Sequence, residues 1–557
     1  MSGRFIQGGY KMGFTISFNE MQEIKSDFPM TARDVLIRTD FPKRERVVAC
    51  RVNRVQRPLS WEIDMDSKLE FITYDTIEGF EVYLRTICFM LTSAATRVCG
   101  IRLHLRQSMN YSYYYDSPDG PITEKQKKSI LAEMHRMVKE GVNFVREELS
   151  LDKARAIMSS QGYIDKERLL RWVNSDPVVL YRCEGIYDFF GAALADNAAI
   201  VPVFDLHLYK GGIFISGPSF ADPTKTQLFK TSAKTFSLFQ GYARWLDNLK
   251  VATMDNIHYL VANGHSRDFI MVCEALHTKT LSEISTYISE RPEVRLLCLA
   301  GPSSSGKTTS SRRIRVQLLA SCKNSATLEL DNYFVDRTRT PRDADGNYDF
   351  EALEALDLDL INEHLAALLE GREVDVPKFD FKTGERKNGQ RLKLSKDQIL
   401  VIEGIHGLNE KLSESVPREN KYGIFICPLT GAAIDMHNRI GTTDTRLLRR
   451  MLRDYRTRGH SPEATLMQWP SVVRGSHRHI FPYQENADTL FNTSLAYELP
   501  VLKGYVQPLL ASVKEDSPAY GEAQRLLSIL SFVPVIPSDD VPNISILREF
   551  IGGSCFE

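Results

Sequence analysis

No excess of charge of either sign marks this chain: 70 Lys and Arg stand against 71 Asp and Glu in 557 residues, a formal net charge of −1. No global field therefore draws it to nucleic acid or to an anionic membrane, and any anion binding has to be built locally. It has no C-x-x-C pair. Its nine cysteines are scattered from Cys50 to Cys555, which suits reduced thiols in a cytosol and excludes a disulfide scaffold or zinc ribbon. The opening MSGRFIQGGYKMGF lacks the apolar core of a leader, and no later run approaches the roughly 18 apolar residues of a membrane span. Internal repeats and low-complexity tracts are also missing. The expectation is a cytoplasmic protein of several domains with no membrane partner.

What is present changes texture along the chain. From about 13 to 75, strand-like runs (FTISF, RVVACRV, LEFITY) alternate with a short Asp/Thr-rich helical piece, as in a small α+β module. A helical pattern follows from Ile77 to Ala95. From about 100 to 225, strands (GIRLHL, IVPVFDLHLYKGGIFISG) mix with a long charged helix for which Thr123 is a good N-cap. Residues 226 to 290 read as a helical connector. From Val294, buried apolar strands (RLLCLA, ATLEL, QILVIEGIHGL, YGIFICP) alternate with helices, the pattern of an α/β, doubly wound parallel sheet.

The stretch GPSSSGKT fits G-x-x-x-x-G-K-[ST], after a strand and before a helix. Gly301 and Gly306 permit a tight backbone. Between them Pro302, Ser303, Ser304 and Ser305 line a polyphosphate, with the helix N-terminus behind it. Lys307 is expected to reach the β and γ phosphates, Thr308 to give its hydroxyl to Mg²⁺, and Thr309 to join the same cradle. A carboxylate is needed for the metal's water shell, and Glu403 ends an apolar strand in VIEG. A second acid, Asp331, closes the short strand of LELDNYF. Ligands of this fold lie at the C-terminal ends of the strands, where both acids are expected to face the loop.

In DTRLLRRMLRDYRTRG, Leu448, Met451, Leu452 and Tyr455 make one helical face, and Arg446, Arg450 and Arg453 make another. Asp444 and Asp454 are too few to pair these arginines, and Gly459 ends the helix as a hinge would. The expectation is a lid whose guanidinium groups close over a transferring phosphoryl group. The histidines His104, His207 and His477 to His479 have no convergent partner at metal spacing.

Together with NYDFEALEALD (347–357) and VPKFDF (376–381), these motifs resemble, in order and spacing, uridine kinases and the wider uridine kinase and phosphoribulokinase family over about 295 to 535. The resemblance implies ATP- and Mg²⁺-dependent phosphorylation of a nucleoside 5′-hydroxyl, with Asp331 accepting the hydroxyl proton. It further implies Asp349 on the ribose hydroxyls, Tyr333 at the substrate, and Arg450, Arg453 and Arg458 as lid arginines. Departures fall at the base pocket. Phe379 stands where pyrimidine nucleoside kinases carry Tyr, a His is replaced around Gly384, and His460 replaces an Arg. Lost hydrogen-bonding groups can shift discrimination by orders of magnitude, so the base stays open.

The first half is similar to threonyl-tRNA synthetase modules: a ubiquitin-like TGS module, with VNRVQRPLSWEIDMDSKLEFIT, and the second additional domain, with YYYDSPDGPITEKQ and YRCEGIYDFF. Editing by that domain requires an H-x-x-x-H pair and a later Cys and His. Here those positions are Arg85, Phe89, Phe190 and Leu194, which offer no such chemistry, so editing is expected to be lost. The implied organisation is 1–75 TGS-like, 76–225 editing-like, 226–292 helical connector, 293–535 kinase and 536–557 tail. Two other readings stay open: a kinase for another small alcohol such as a sugar phosphate or pantothenate, and a nucleotide-switched tRNA- or RNA-binding regulator. A homo-oligomer is also left open.

Overall fold

The computed structural model describes residues 13–556 apart from 19–21, 110, 221, 343–345, 347, 381–382 and 430. The opening stretch, Asn347 and Phe381 of the motifs quoted above lie outside the described residues. The chain forms two compact units, one of Met1–Thr231 with Asp435–Arg439 and Lys514–Phe532, the other of Ser232–Ile434, Ile440–Val513 and Val533–Glu557.

In the first unit, strands Phe14–Phe18, Gln22–Ser26, Val47–Val52, Val55–Arg57 and Ser67–Thr73 form one mixed sheet. The helix Ala32–Arg38 starts at a capping box between Thr31 and Asp34. Helix Ile77–Cys99 is buried along most of its length and runs past Ala95 to an αL Gly100, the residue type that can end a helix in that conformation. Thr123 caps helix Glu124–Glu140 as expected, accepting from the Gln126 amide. A four-stranded antiparallel sheet, a three-stranded one and a two-stranded pair of Met30–Thr31 with Glu62–Ile63 also belong to the unit.

A charged cluster lies in the interior of this unit. The fully buried Lys166 donates to Asp188 Oδ1 at 2.7 Å and to Asp435 Oδ1 at 2.6 Å, and His437 Nδ1 lies 2.6 Å from Asp188 Oδ2. Burial pushes the Lys166 ammonium down, but Asp188, Asp435 and Asp165 outweigh it and hold it above its ordinary value. Asp435–Arg439 thus belongs to the first unit although it is only a few residues from the lid helix of the second.

In the second unit, five parallel strands form the sheet: β1 (Leu296–Ala300), β2 (Ser325–Glu329), β3 (Ile399–Glu403), β4 (Lys421–Cys427) and β5 (Thr489–Asn492), in the order β2-β3-β1-β4-β5. β1 is buried at every position, as the continuous apolar run requires of a strand covered on both faces. Register pairs Leu299 of β1 with Glu403 of β3, and Glu403 with Glu329 of β2. This puts the strand ends and the loops that follow them at one edge of the sheet. Helices Ala233–Asn248, Met254–Ala262 and Ser266–Ser289 belong to this unit, and Arg313 of the helix after β1 donates to Thr278 at 3.0 Å.

Candidate active site

The loop after β1 is held by its carbonyls. Pro302 O accepts from Lys307 Nζ at 3.2 Å, Ser303 O from Arg446 Nε at 2.9 Å, and Ser305 O from Thr493 Oγ1 at 2.7 Å and Arg449 Nη1 at 3.3 Å. In a trans peptide the N–H opposes the C=O, so the amides of Ser303, Ser304 and Gly306 point away from the partners of these carbonyls, as an anion-binding nest requires. Ser304 at φ 60° and Gly306 at φ 85° supply the left-handed turns, and a side chain on Gly301 would overlap the Ile426 carbonyl. The helix Lys307–Ala320 starts directly behind.

Thr308 donates its hydroxyl to Glu403 Oε1 at 2.6 Å. Burial pushes the Glu403 carboxyl up to about 7, against the pull of Thr308 and Lys307. Burial lowers the Lys307 ammonium, while Glu403, Asp331 and Glu351 oppose it. Asp331 lies in the turn after β2, accessible to solvent but with protein packed around its carboxyl. Its carboxyl is raised by that crowding, against Lys307, Arg458 and Arg453. Lys307, Thr308, Asp331 and Glu403 are thus brought together. A hydroxyl beside a carboxylate, next to a nest of amides, is an oxygen donor set that would fit a hard divalent cation.

The lid departs from the expectation in three ways. Arg446 is not on an open basic face but buried, bonded to Ser303 and Ser476, and Arg449 is fully buried in an ion pair with Glu498. Tyr455 does not continue the apolar face of Leu448, Met451 and Leu452. It is exposed, because the helix Thr442–Arg453 gives way to a π-helical turn, Asp454–Arg458, which shifts the register. Asp454 alone does pair the arginines: the fully buried carboxylate faces Arg450 at 3.1 Å, Arg453 at 3.2 Å and Arg458 at 3.4 Å. Arg450 also donates to Ser303 Oγ at 3.0 Å, and Gly459 ends the turn at φ 67°.

At the acceptor side the structure redistributes roles. Tyr333 is fully buried with its hydroxyl 2.8 Å from His364 Nδ1, a core position rather than a substrate contact. Phe379 is buried 5.6 Å from Phe334, and His460 is exposed beyond the lid turn. Asp349 accepts the Glu351 amide at 3.1 Å and lies 3.6 Å from His479. Glu351, inside NYDFEALEALD but not among the sequence candidates, has a buried Oε2 that no donor meets among the described residues. Burial raises its carboxyl, opposed by Arg446, Arg450 and Lys307. Gly475 makes room for it, since a Cβ there would come within 2.7 Å of Glu351 Cβ.

The profile described as the phosphoribulokinase / uridine kinase family matches residues 296–496. The uridine kinase of Deinococcus deserti is 30% identical over 197 residues, 34% of this chain and 84% of that one. That of Halobacterium salinarum is 30% identical over 195 residues, 34% of this chain and 77% of that one. The threonine–tRNA ligase of Thermotoga neapolitana is 26% identical over 208 residues, 36% of this chain and 32% of the ligase, so the likeness spans about a third of that relative. With a phosphate loop, a Thr–Glu pair and a lid on one parallel sheet, and relatives matched over most of their length, the chain belongs to the phosphoribulokinase / uridine kinase family.

Proposed function

We propose that the chain transfers a phosphoryl group from ATP to the 5′-hydroxyl of a ribonucleoside. The observation that carries this reading is the convergence of Lys307, Asp331 and Glu403 at the ends of neighbouring strands, beside the inward amides of the loop. Phosphoryl transfer asks for alignment and charge stabilisation more than for covalent chemistry. Thr308 and Glu403 would hold Mg²⁺, which when bound neutralises charge between the β and γ phosphates. Lys307 binds the same phosphates, and Asp331 orients the acceptor hydroxyl and takes its proton. Arg450, Arg453 and Arg458 exchange Asp454 for the charge spread over the transferring group. Asp349 and Glu351 are the carboxylates available to the acceptor's remaining hydroxyls.

A second acceptor class, another small alcohol, is favoured by one observation: Phe379 is core and brings no donor to a base edge. The first 225 residues are proposed to be synthetase-like but without editing, because Phe89 packs 5.3 Å from Phe190 and Leu194 is fully buried, which fills the place where catalysis would need imidazole and thiol. Under this reading the five-part organisation given above, a cytoplasmic location and tRNA contact through the first half remain proposals. Among the described residues no helix is long and apolar enough to cross a membrane. The deciding experiment is monophosphate formation across a panel of nucleosides and sugar phosphates, with Lys307→Ala as control. Turnover of a nucleoside supports the reading, and turnover of sugar phosphates alone overturns it.

A further inference from the structure

We propose that Glu549 is an intrachain stand-in for phosphate, a carboxylate that occupies the donor site until a nucleotide displaces it, and so ties nucleotide binding to release of the lid. The inference rests on the reading of the loop as a nucleotide site. Glu549 Oε2 accepts from the Thr309 amide at 3.2 Å and from the Thr309 hydroxyl at 2.8 Å. The helix begins at Lys307 and its first intrahelical bond runs from the Ser310 amide to Gly306 O, so the Thr309 N–H is one of the helix-start donors with no partner inside the helix. Such donors, following a glycine loop, are the groups that receive the phosphates nearest the nucleoside, and the helix dipole favours an anion there. A carboxylate and a phosphate oxygen cannot both sit within hydrogen-bonding distance of one N–H, and their like charges repel. The donor therefore binds only as Glu549 leaves.

Glu549 does not move alone. It belongs to the short turn of helix Arg548–Ile551, and its neighbours grip both the loop and the lid. Ile546 lies where a side chain on Gly306 would come within 2.6 Å of its Cγ2. Phe550 O accepts from Arg456 Nη1 of the lid's π turn at 2.9 Å, and Gly552, at φ 94°, lies directly against the same guanidinium. The Phe550 ring is 5.1 Å from the Arg449 guanidinium that holds Ser305 O. Displacing Glu549 loosens the hold on Arg456, which lies in the same π turn as Arg458. An empty site keeps the lid tied, and a filled one frees it.

The test is calorimetric binding of ADP to the full chain, which reads the donor site without requiring any acceptor. Glu549→Gln removes the charge and keeps the shape, and Glu549→Ala removes both. ADP should bind several-fold tighter to the first and about tenfold tighter to the second, and saturating ADP should speed hydrogen exchange at residues 546–552 of the unaltered protein. Affinity unchanged or weakened in both variants, with unfolding still cooperative, overturns the proposal and leaves Glu549 as a helix cap. Should Glu549→Ala fail to fold, Glu549→Gln and the exchange measurement decide: slower or unchanged exchange on adding ADP overturns it. Absence of ADP binding in every protein would instead sink the nucleotide-site reading.

Discussion

Asp331 follows β2 and Glu403 ends the neighbouring β3, and the ammonium of Lys307 faces both. Their surroundings differ, Glu403 beside the Thr308 hydroxyl and Asp331 accessible and also near Arg458 and Arg453. Asp331→Asn keeps the size and the hydrogen-bonding reach of the side chain but cannot take a proton. It should leave ADP affinity within about twofold and lower turnover by 100-fold or more, the scale of a lost general base. Steady-state kinetics beside calorimetry checks both halves, and normal turnover would remove Asp331 from the mechanism.

Glu351 and Asp349 compete for the part of acceptor acid. Asp349 already accepts a backbone amide, whereas Glu351 Oε2 is buried with no donor among the described residues. Hydrogen bonds to charged groups contribute about 1.5–3 kcal/mol, so Glu351→Gln should raise the acceptor KM by roughly 10- to 100-fold with ADP binding unchanged. Asp349→Asn should do less. Gly475→Ala, which pushes Glu351 aside, should resemble Glu351→Gln in the same assay.

Lys166 neutralises a buried cage. Lys166→Ala leaves Asp188 and Asp435 without their cation, and breaking one side of such a cluster costs about 3–5 kcal/mol. Denaturant unfolding should show this loss, and the combination Lys166→Met with Asp188→Asn and Asp435→Asn should recover part of it.

His277 sets a lower pH boundary. Its ring is buried with Nε2 3.2 Å from the Ser494 carbonyl, and burial lowers it to about 3. A depressed folded-state value means that the unfolded chain takes the proton first. Stability is therefore full above about pH 6.5 and falls as the pH drops toward 3. At pH 5 this one group should remove on the order of 2 kcal/mol relative to pH 7. Thermal unfolding at the two pH values should show a smaller difference in His277→Gln.

The phosphate loop and its sheet were legible because their signals are local: buried parallel strands read as unbroken apolar runs, and the spacing of Gly301, Gly306 and Lys307 is fixed by the turn itself. Helix periodicity placed Leu448, Met451 and Leu452 inward for the same reason, and it failed at Tyr455 because a π turn inserts an extra residue that no composition rule announces. Counting acids near the arginines misjudged Asp454, since one buried carboxylate can serve several guanidinium groups at once. Glu549 meets Thr309 across 240 residues, and Lys166 meets Asp435 across 269, separations over which sequence pattern carries no information.

The membership of Asp435–Arg439 and Lys514–Phe532 in the first unit means that the polypeptide passes between the two bodies five times, after residues 231, 434, 439, 513 and 532. A cut at the family match, 296 and 496, keeps Asp435 and His437 with the second unit and parts them from Lys166 and Asp188. A truncated clone would carry His437 and Asp435 as orphaned interior groups on its outside, and the remaining half would have a hole where they belong.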